Sequence, residues 1–157
     1  MRSILAWTYP IAELARCRNA IRAGRRCVSV GARKLGAPYR CRMALVLNNL
    51  PEELRPELAP VLERVVAQVE PRGLWLFGSW ARGSQSACSD IDLLIEGFEG
   101  VPVLKAYDQA LEAIGDCPLP LQPLVAAPSL LARHGDSPFW RSVKAEAKPL
   151  LEGSVFP

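Results

Sequence analysis

The sequence predicts an α/β domain, in which helices pack on a small β-sheet, for the part of the chain after residue 42. Apolar residues recur at the spacing of one helical face over residues 62–69. Two short apolar runs, residues 74–77 and 91–95, are bounded by turn residues and are typical of buried strands. The patterns follow the order helix, strand, turn, strand, helix, strand, helix, which is typical of a sheet covered by helices.

The first helical region of this domain contains several prolines. Asn48 and Asn49 are residues that cap helices, and Pro51 suits the first turn of a helix that they would start. Pro56 and Pro60 argue against one uninterrupted helix from this point, because a proline inside a helix removes a hydrogen bond. A clean helical pattern is therefore expected after Pro60.

The second half of the domain contains a helix, a strand and a last helical region. The helix is predicted by apolar residues at helical spacing and a glycine stop, namely Leu104, Tyr107, Leu111, Ile114 and Gly115. Residues 119–126 predict a strand, which Pro120 and Pro123 either place at an edge of the sheet or make irregular. The last helical region is expected over residues 129–134 and again over about 139–148.

Charge divides the chain into two segments. Residues 1–42 contain ten Arg or Lys and one acidic residue, a balance of +9, whereas residues 43–157 contain nine basic and fifteen acidic residues, a balance of −6. Met43 opens the segment MALVLNNLPEEL, which is typical of a natural protein start. We interpret residues 1–42 as a basic extension, either poorly ordered or added by a misassigned start, and residues 43–157 as the functional domain.

Two other interpretations of residues 1–42 remain open. Scattered arginines are typical of a basic arm that binds nucleic acid. An Arg-rich segment with few acidic residues also fits a targeting peptide, although no clear cleavage signal follows its short apolar stretch.

Composition excludes some classes of protein. No apolar run approaches the roughly 18 residues that span a bilayer, so we expect a soluble protein without a membrane partner. The five cysteines are odd in number and form no C-x-x-C pair, which disfavours a disulfide framework or zinc site and favours the reducing cytoplasm. The acidic balance of residues 43–157 disfavours nucleic acid as a partner of the domain.

A pair of aspartates interrupts the second apolar strand. Asp90 and Asp92 are two residues apart, and side chains at this spacing point to the same face of a strand. Two carboxylates held so close repel each other unless a cation lies between them. Carboxylate oxygens are ligands that Mg²⁺ prefers, together with substrate phosphates. Asp90 and Asp92 are therefore candidate metal ligands and catalytic residues.

A small turn precedes this acidic pair. Gly78 and Ser79 follow the first strand, where a glycine lets a phosphate approach the backbone and N–H groups with the Ser hydroxyl can hold an anion. The loop of residues 80–89 can fold this turn back towards the aspartates. Gly78, Ser79, Arg82 and Ser89 are therefore candidate nucleotide-binding residues, although Arg82 could equally pair with an acidic side chain.

The spacing of these residues resembles a known signature. Gly78-Ser79, ten residues, and Asp90-Ile91-Asp92 are similar to the G-S-x10-D-x-D signature of the minimal nucleotidyltransferase family, in the DNA polymerase β-like superfamily. The resemblance covers about residues 50–152. It implies a nucleotidyltransferase fold with a mixed sheet flanked by helices, and Mg²⁺-dependent transfer of a nucleoside monophosphate from an NTP such as ATP. Gly78 and Ser79 would hold the β,γ-phosphates, and Asp90 and Asp92 the metals.

One feature of the family is missing from the sequence. The resemblance implies a third carboxylate on a later strand, as a general base or metal ligand. The matching segment LPLQPLVA contains no acidic residue, and Gln122 stands near the expected place. Activity is therefore expected to be weak, to depend on a partner or to be lost.

The resemblance also implies a partner. Small members of the family resemble antitoxins that modify a HEPN-type toxin, so we expect transfer of AMP to a hydroxyl of such a protein. The alternative is a catalytically weak or inactive binding module that neutralises its partner by contact alone. Modification of nucleic acid or of an antibiotic is a third possibility, disfavoured for nucleic acid by the acidic domain.

Overall fold

The computed structural model describes residues 44–156, and the interpretation of residues 1–42 as a basic extension lies outside this range. The described helices are α1 (Arg55–Val69), α2 (Gly78–Arg82), α3 (Val103–Ile114), α4 (Pro128–His134) and α5 (Pro138–Glu146). The described strands are β1 (Gly73–Phe77), β2 (Ile91–Glu96), β3 (Leu121–Ala126) and β4 (Lys148–Pro149). Within residues 44–156, no helix is both long and apolar enough to cross a membrane.

The strands form one mixed sheet in the order β3-β2-β1-β4. β1 pairs antiparallel with β2 and with β4, whereas β2 and β3 run parallel. The predicted α/β class, a small mixed sheet flanked by helices, is confirmed. The predicted edge position of the third strand is confirmed as well, and an edge is where Pro123 is tolerated because one side of the strand needs no ladder hydrogen bonds.

Helices cover both faces of the sheet. On one face, α1 and α3 bury apolar side chains against Leu74 and Leu76 of β1 and Leu93 of β2. On the other face, α4 and α5 pack against Trp75 of β1 and Leu94 of β2. Because successive side chains of a strand point to opposite faces, burial of both faces requires the continuous apolar runs seen in the sequence.

The start of α1 differs from the sequence prediction. Asn48 and Asn49 do not cap an α-helix but lie in a 3₁₀ turn, and the Asn49 side-chain amide donates to the Pro149 carbonyl over 2.6 Å. α1 begins at Arg55, later than a helix capped by Asn49 would begin but before Pro60, where the sequence predicted a break. Pro56 lies in its first turn, and the helix continues through Pro60. A proline in the first turn costs no hydrogen bond, because the N–H groups there have no partner within the helix.

The buried face of α3 also differs from the residues that predicted this helix. Four residues of α3 are buried, namely Ala106, Ala110, Ala113 and Ile114. Of the four apolar residues that predicted the helix, Leu104, Tyr107 and Leu111 are exposed, and so is Val103 at its start. The buried face of α3 is therefore made mainly of alanines, and its larger apolar side chains lie on the outer surface.

Glu96, the last residue of β2, is a buried acid that should cost stability at neutral pH. It is 4 % exposed. Burial raises the pKa of its carboxyl above the ordinary value of 4.5, and the positive charge of Arg72 opposes this shift only in part. A raised pKa in the folded state means that the contribution of this group to stability is complete below pH 4.5 and decreases as the pH rises through the folded-state pKa.

Glu96→Gln should therefore stabilise the fold at pH 7 and leave its stability nearly unchanged at pH 4. We expect a gain at pH 7 on the order of 1 kcal/mol or less, since the amide avoids burying a charge. Urea unfolding of both proteins at the two pH values measures this difference. An equal difference at pH 4 and pH 7 would show that the charge of Glu96 has no influence.

Candidate functional site

The junction of β1 and α2 places a glycine directly against an aspartate. Gly78 has a φ of +74°, in the left-handed region that favours glycine. A Cβ atom at this position would lie 2.1 Å from the Asp92 Oδ2 atom. The Asp92 carboxylate thus occupies the space that a side chain at position 78 would need. The candidate phosphate-binding turn and the candidate metal ligand therefore lie side by side.

The two aspartates lie at the start of β2, between its neighbouring strands. Asp92 pairs in register with Phe77 of β1 and with Gln122 of β3, and Asp90 immediately precedes β2. Asp90 is exposed and Asp92 is half-buried. The predicted pair is therefore held at one end of the sheet, next to Gly78.

Electrostatics make the Asp92 carboxylate a costly negative charge. Burial raises its pKa, and the negative charges of Asp90 and Glu146 raise it further, while Arg82 lowers it. A carboxylate whose ionised form is destabilised in this way gains from a bound cation. The excess negative charge around Asp92 fits a divalent metal ion.

Gln122 lies where the sequence placed the missing third carboxylate. Its side-chain Nε2 donates to Asp90 Oδ2 over 3.2 Å, so β3 does present this residue to the aspartate pair. The amide orients the Asp90 carboxylate but accepts no proton at neutral pH and adds no negative charge. The acidic pair is therefore not extended to a triad by β3.

The loop between α2 and β2 is closed by Ser89 and Trp80. The Ser89 hydroxyl accepts from the Ser86 backbone N–H over 2.8 Å, and the Ser89 carbonyl accepts from the Trp80 indole N–H over 3.2 Å. Trp80 is packed against the core, which anchors the loop. The structure thus uses the Ser89 hydroxyl inside the loop, and its predicted contact with a nucleotide stays a prediction.

Arg82 and Gly78 share a partner that the sequence did not indicate. Glu146, the last residue of α5, accepts from the Gly78 backbone N–H through Oε1 over 3.0 Å and forms an ion pair with Arg82 through Oε2. Arg82 therefore pairs with an acidic side chain, which was the alternative to nucleotide binding in the sequence analysis. Ser79 follows Gly78 as the second residue of α2.

The side chains around the two aspartates do not form a complete set of metal ligands. Within residues 44–156, no group of three or more His, Cys, Asp or Glu side chains is arranged to hold a metal ion. Mg²⁺ is commonly held by one or two carboxylates and completed by substrate phosphates and water. Asp90 and Asp92 fit that sharing arrangement, in which the metal binds together with a phosphate ligand.

A match to a known protein family covers the segment that contains this site. Residues 59–123 match the nucleotidyltransferase domain family, a segment that runs from α1 into β3 and contains the Gly-Ser turn and both aspartates. The match supports the predicted nucleotidyltransferase superfamily for this segment. No curated protein matches the sequence.

Among similar solved structures is that of a candidate nucleotidyltransferase from Sulfolobus solfataricus. It is 20 % identical to this chain, with a TM-score of 0.47. The similarity covers 65 % of this chain and 84 % of the other.

Proposed function

We propose that the described domain is a Mg²⁺-dependent nucleotidyltransferase that moves a nucleoside monophosphate, AMP from ATP, to a hydroxyl group. The observation that carries this proposal is the contact between the Gly78 turn and the Asp92 carboxylate. The turn has backbone N–H groups of the kind that bind phosphate, and Asp92, with Asp90 two residues before it, has carboxylates of the kind that bind Mg²⁺. The match of residues 59–123 to the nucleotidyltransferase domain family supports the reaction class.

Each residue of the site has a role in this proposal. Gly78 and Ser79 bind the β,γ-phosphates through the backbone N–H and the hydroxyl, and Arg82 adds positive charge. Asp90 and Asp92 hold Mg²⁺, which when bound neutralises the charge that develops on the phosphates. The acceptor oxygen forms a bond to the α-phosphorus, the bond to the bridging oxygen breaks, and pyrophosphate leaves.

The site has no general base on β3 to remove the proton of the acceptor hydroxyl. Gln122 lies beside Asp90 but accepts no proton, so β3 provides no dedicated base and the hydroxyl proton passes to water. General-base assistance contributes roughly 10²–10⁴-fold to such reactions. We therefore expect slow transfer, unless the acceptor itself provides the base.

The acceptor we propose is a partner protein, a HEPN-type toxin for which this domain acts as the antitoxin. This rests on the resemblance of the Gly-Ser and Asp-x-Asp spacing to minimal nucleotidyltransferases. A second candidate is a binding module that neutralises its partner by contact alone. Two observations favour this alternative, namely Gln122 in the place of a third acid and Glu146 on the Gly78 N–H.

Transfer is tested with ATP labelled on either the α- or the γ-phosphate. The full chain, Mg²⁺ and a HEPN-type toxin protein are incubated with each label. We expect the partner protein to acquire label from α-labelled ATP alone. Label from γ-labelled ATP would indicate a phosphotransferase. No label, together with neutralisation of the partner by the Asp92→Asn variant, would favour the binding module.

A further inference from the structure

Glu146 occupies the donors that a phosphate group would use. One carboxylate oxygen accepts a hydrogen bond from the Gly78 backbone N–H over 3.0 Å, and the other forms an ion pair with the guanidinium of Arg82. The Glu146 side chain is 16 % exposed, whereas that of Arg82 is 52 % exposed. The acid is therefore held in the site, while the arginine lies at its outer edge.

The position of Glu146 is unfavourable apart from these two contacts. It is the last residue of α5, where the helix dipole disfavours negative charge. The hydrogen bond from Gly78 and the ion pair with Arg82 offset this cost, so the acid behaves as an anion bound in the turn.

We propose that Glu146 is an intramolecular competitor for the phosphate groups of the nucleotide, and thereby sets the affinity of the site. This rests on the proposed function, since it concerns the same Gly78 turn. One backbone N–H cannot serve the Glu146 carboxylate and a phosphate oxygen fully at the same time. Nucleotide binding must therefore displace Glu146, and the displacement frees Arg82 to contact the phosphates.

Displacement lowers the affinity of the site by the strength of the contacts that are lost. Hydrogen bonds to charged groups are among the stronger ones in proteins, and the loss of one such contact corresponds to roughly a tenfold change in an equilibrium constant. The Glu146→Gln variant keeps the size of the side chain but removes its charge. It should bind the nucleotide about tenfold more tightly than the wild-type protein.

The test compares Glu146→Gln with Glu152→Gln, which removes the same charge from an exposed turn after β4. Calorimetric titration of the full chain with MgATP should give about tenfold tighter binding for Glu146→Gln and nearly wild-type binding for Glu152→Gln. The amide resonance of Gly78 in ¹H–¹⁵N spectra should move in the free Glu146→Gln protein, and it should not move in the free Glu152→Gln protein.

Three results would overturn the proposal. An unmoved Gly78 resonance would show that the contact is absent in solution. Equal or weaker MgATP binding by Glu146→Gln, with measurable binding by the wild type, would reject the competitor and leave the nucleotide site intact. If neither protein binds MgATP, the competitor and the proposed function both fail.

Discussion

Asp92→Asn should weaken the binding of MgATP by about 100-fold or more. Altering even a residue that only orients a metal ligand costs 10–100-fold in metal affinity, so loss of one of two ligands should cost at least the upper value. At ligand concentrations near 100 times the dissociation constant, MgATP should stabilise the wild type by about 2.7 kcal/mol. A thermal unfolding series with and without MgATP should show this stabilisation in the wild type and not in Asp92→Asn.

The same substitution should slightly stabilise the protein without ligand. The pKa of Asp92 is raised by burial and by the charges of Asp90 and Glu146, so its ionised form costs stability once the pH exceeds the folded-state pKa. The neutral amide avoids this cost at pH 7. Asp108→Asn, on the exposed surface of α3, is the matched control and should change neither property. A ligand response in Asp92→Asn equal to that of the wild type would contradict the assignment.

Gly78→Ala should destabilise the fold and disable the site together. An L-residue in the left-handed region costs about 1–2 kcal/mol. The added Cβ would also lie 2.1 Å from Asp92 Oδ2, and overpacking of this kind adds roughly 1–3 kcal/mol. Urea unfolding should therefore show a loss of about 2–5 kcal/mol, and MgATP binding should fall because the Asp92 carboxylate must move.

Gly83→Ala is the matched control for this prediction. Gly83 has a φ of +73°, nearly that of Gly78, but a Cβ there meets no atom within 4 Å. It should lose about 1–2 kcal/mol from backbone strain alone and keep its affinity for MgATP. If the two variants lost stability and binding equally, the contact between Gly78 and Asp92 would carry no special role.

Local patterns explain what the sequence predicted well. β1 and β2 are buried on both faces, so their apolar runs are continuous and easily recognised. The Gly-Ser turn and the Asp-x-Asp pair belong to one continuous segment, β1-α2-β2, in which short connections bring their residues together. The edge position of the third strand was predictable because a proline inside a strand is tolerated mainly at an edge of a sheet.

The remaining features depend on contacts that are distant in the sequence. Glu146 lies 68 residues from Gly78, and no spacing rule joins the end of one helix to a turn so far away. Its one local signal was an acid in the last turn of a helix, a position that the dipole disfavours. β4 contains two residues, one of them Pro149, and forms only because β1 offers it an edge. In α3, the buried residues are mainly alanines, which are small and only weakly apolar, so the pattern of large apolar residues did not indicate the buried face.

The joint dependence of ATP and Mg²⁺ binding tests the central claim most directly. If Asp90, Asp92 and the Gly78 turn form one shared site, calorimetry of the full chain should show strong ATP binding with Mg²⁺ and at least about tenfold weaker binding with EDTA. Mg²⁺ alone should bind weakly, because two carboxylates leave most of its coordination to phosphate and water. Equal ATP affinity with and without Mg²⁺, or no ATP binding in either condition, would contradict the account.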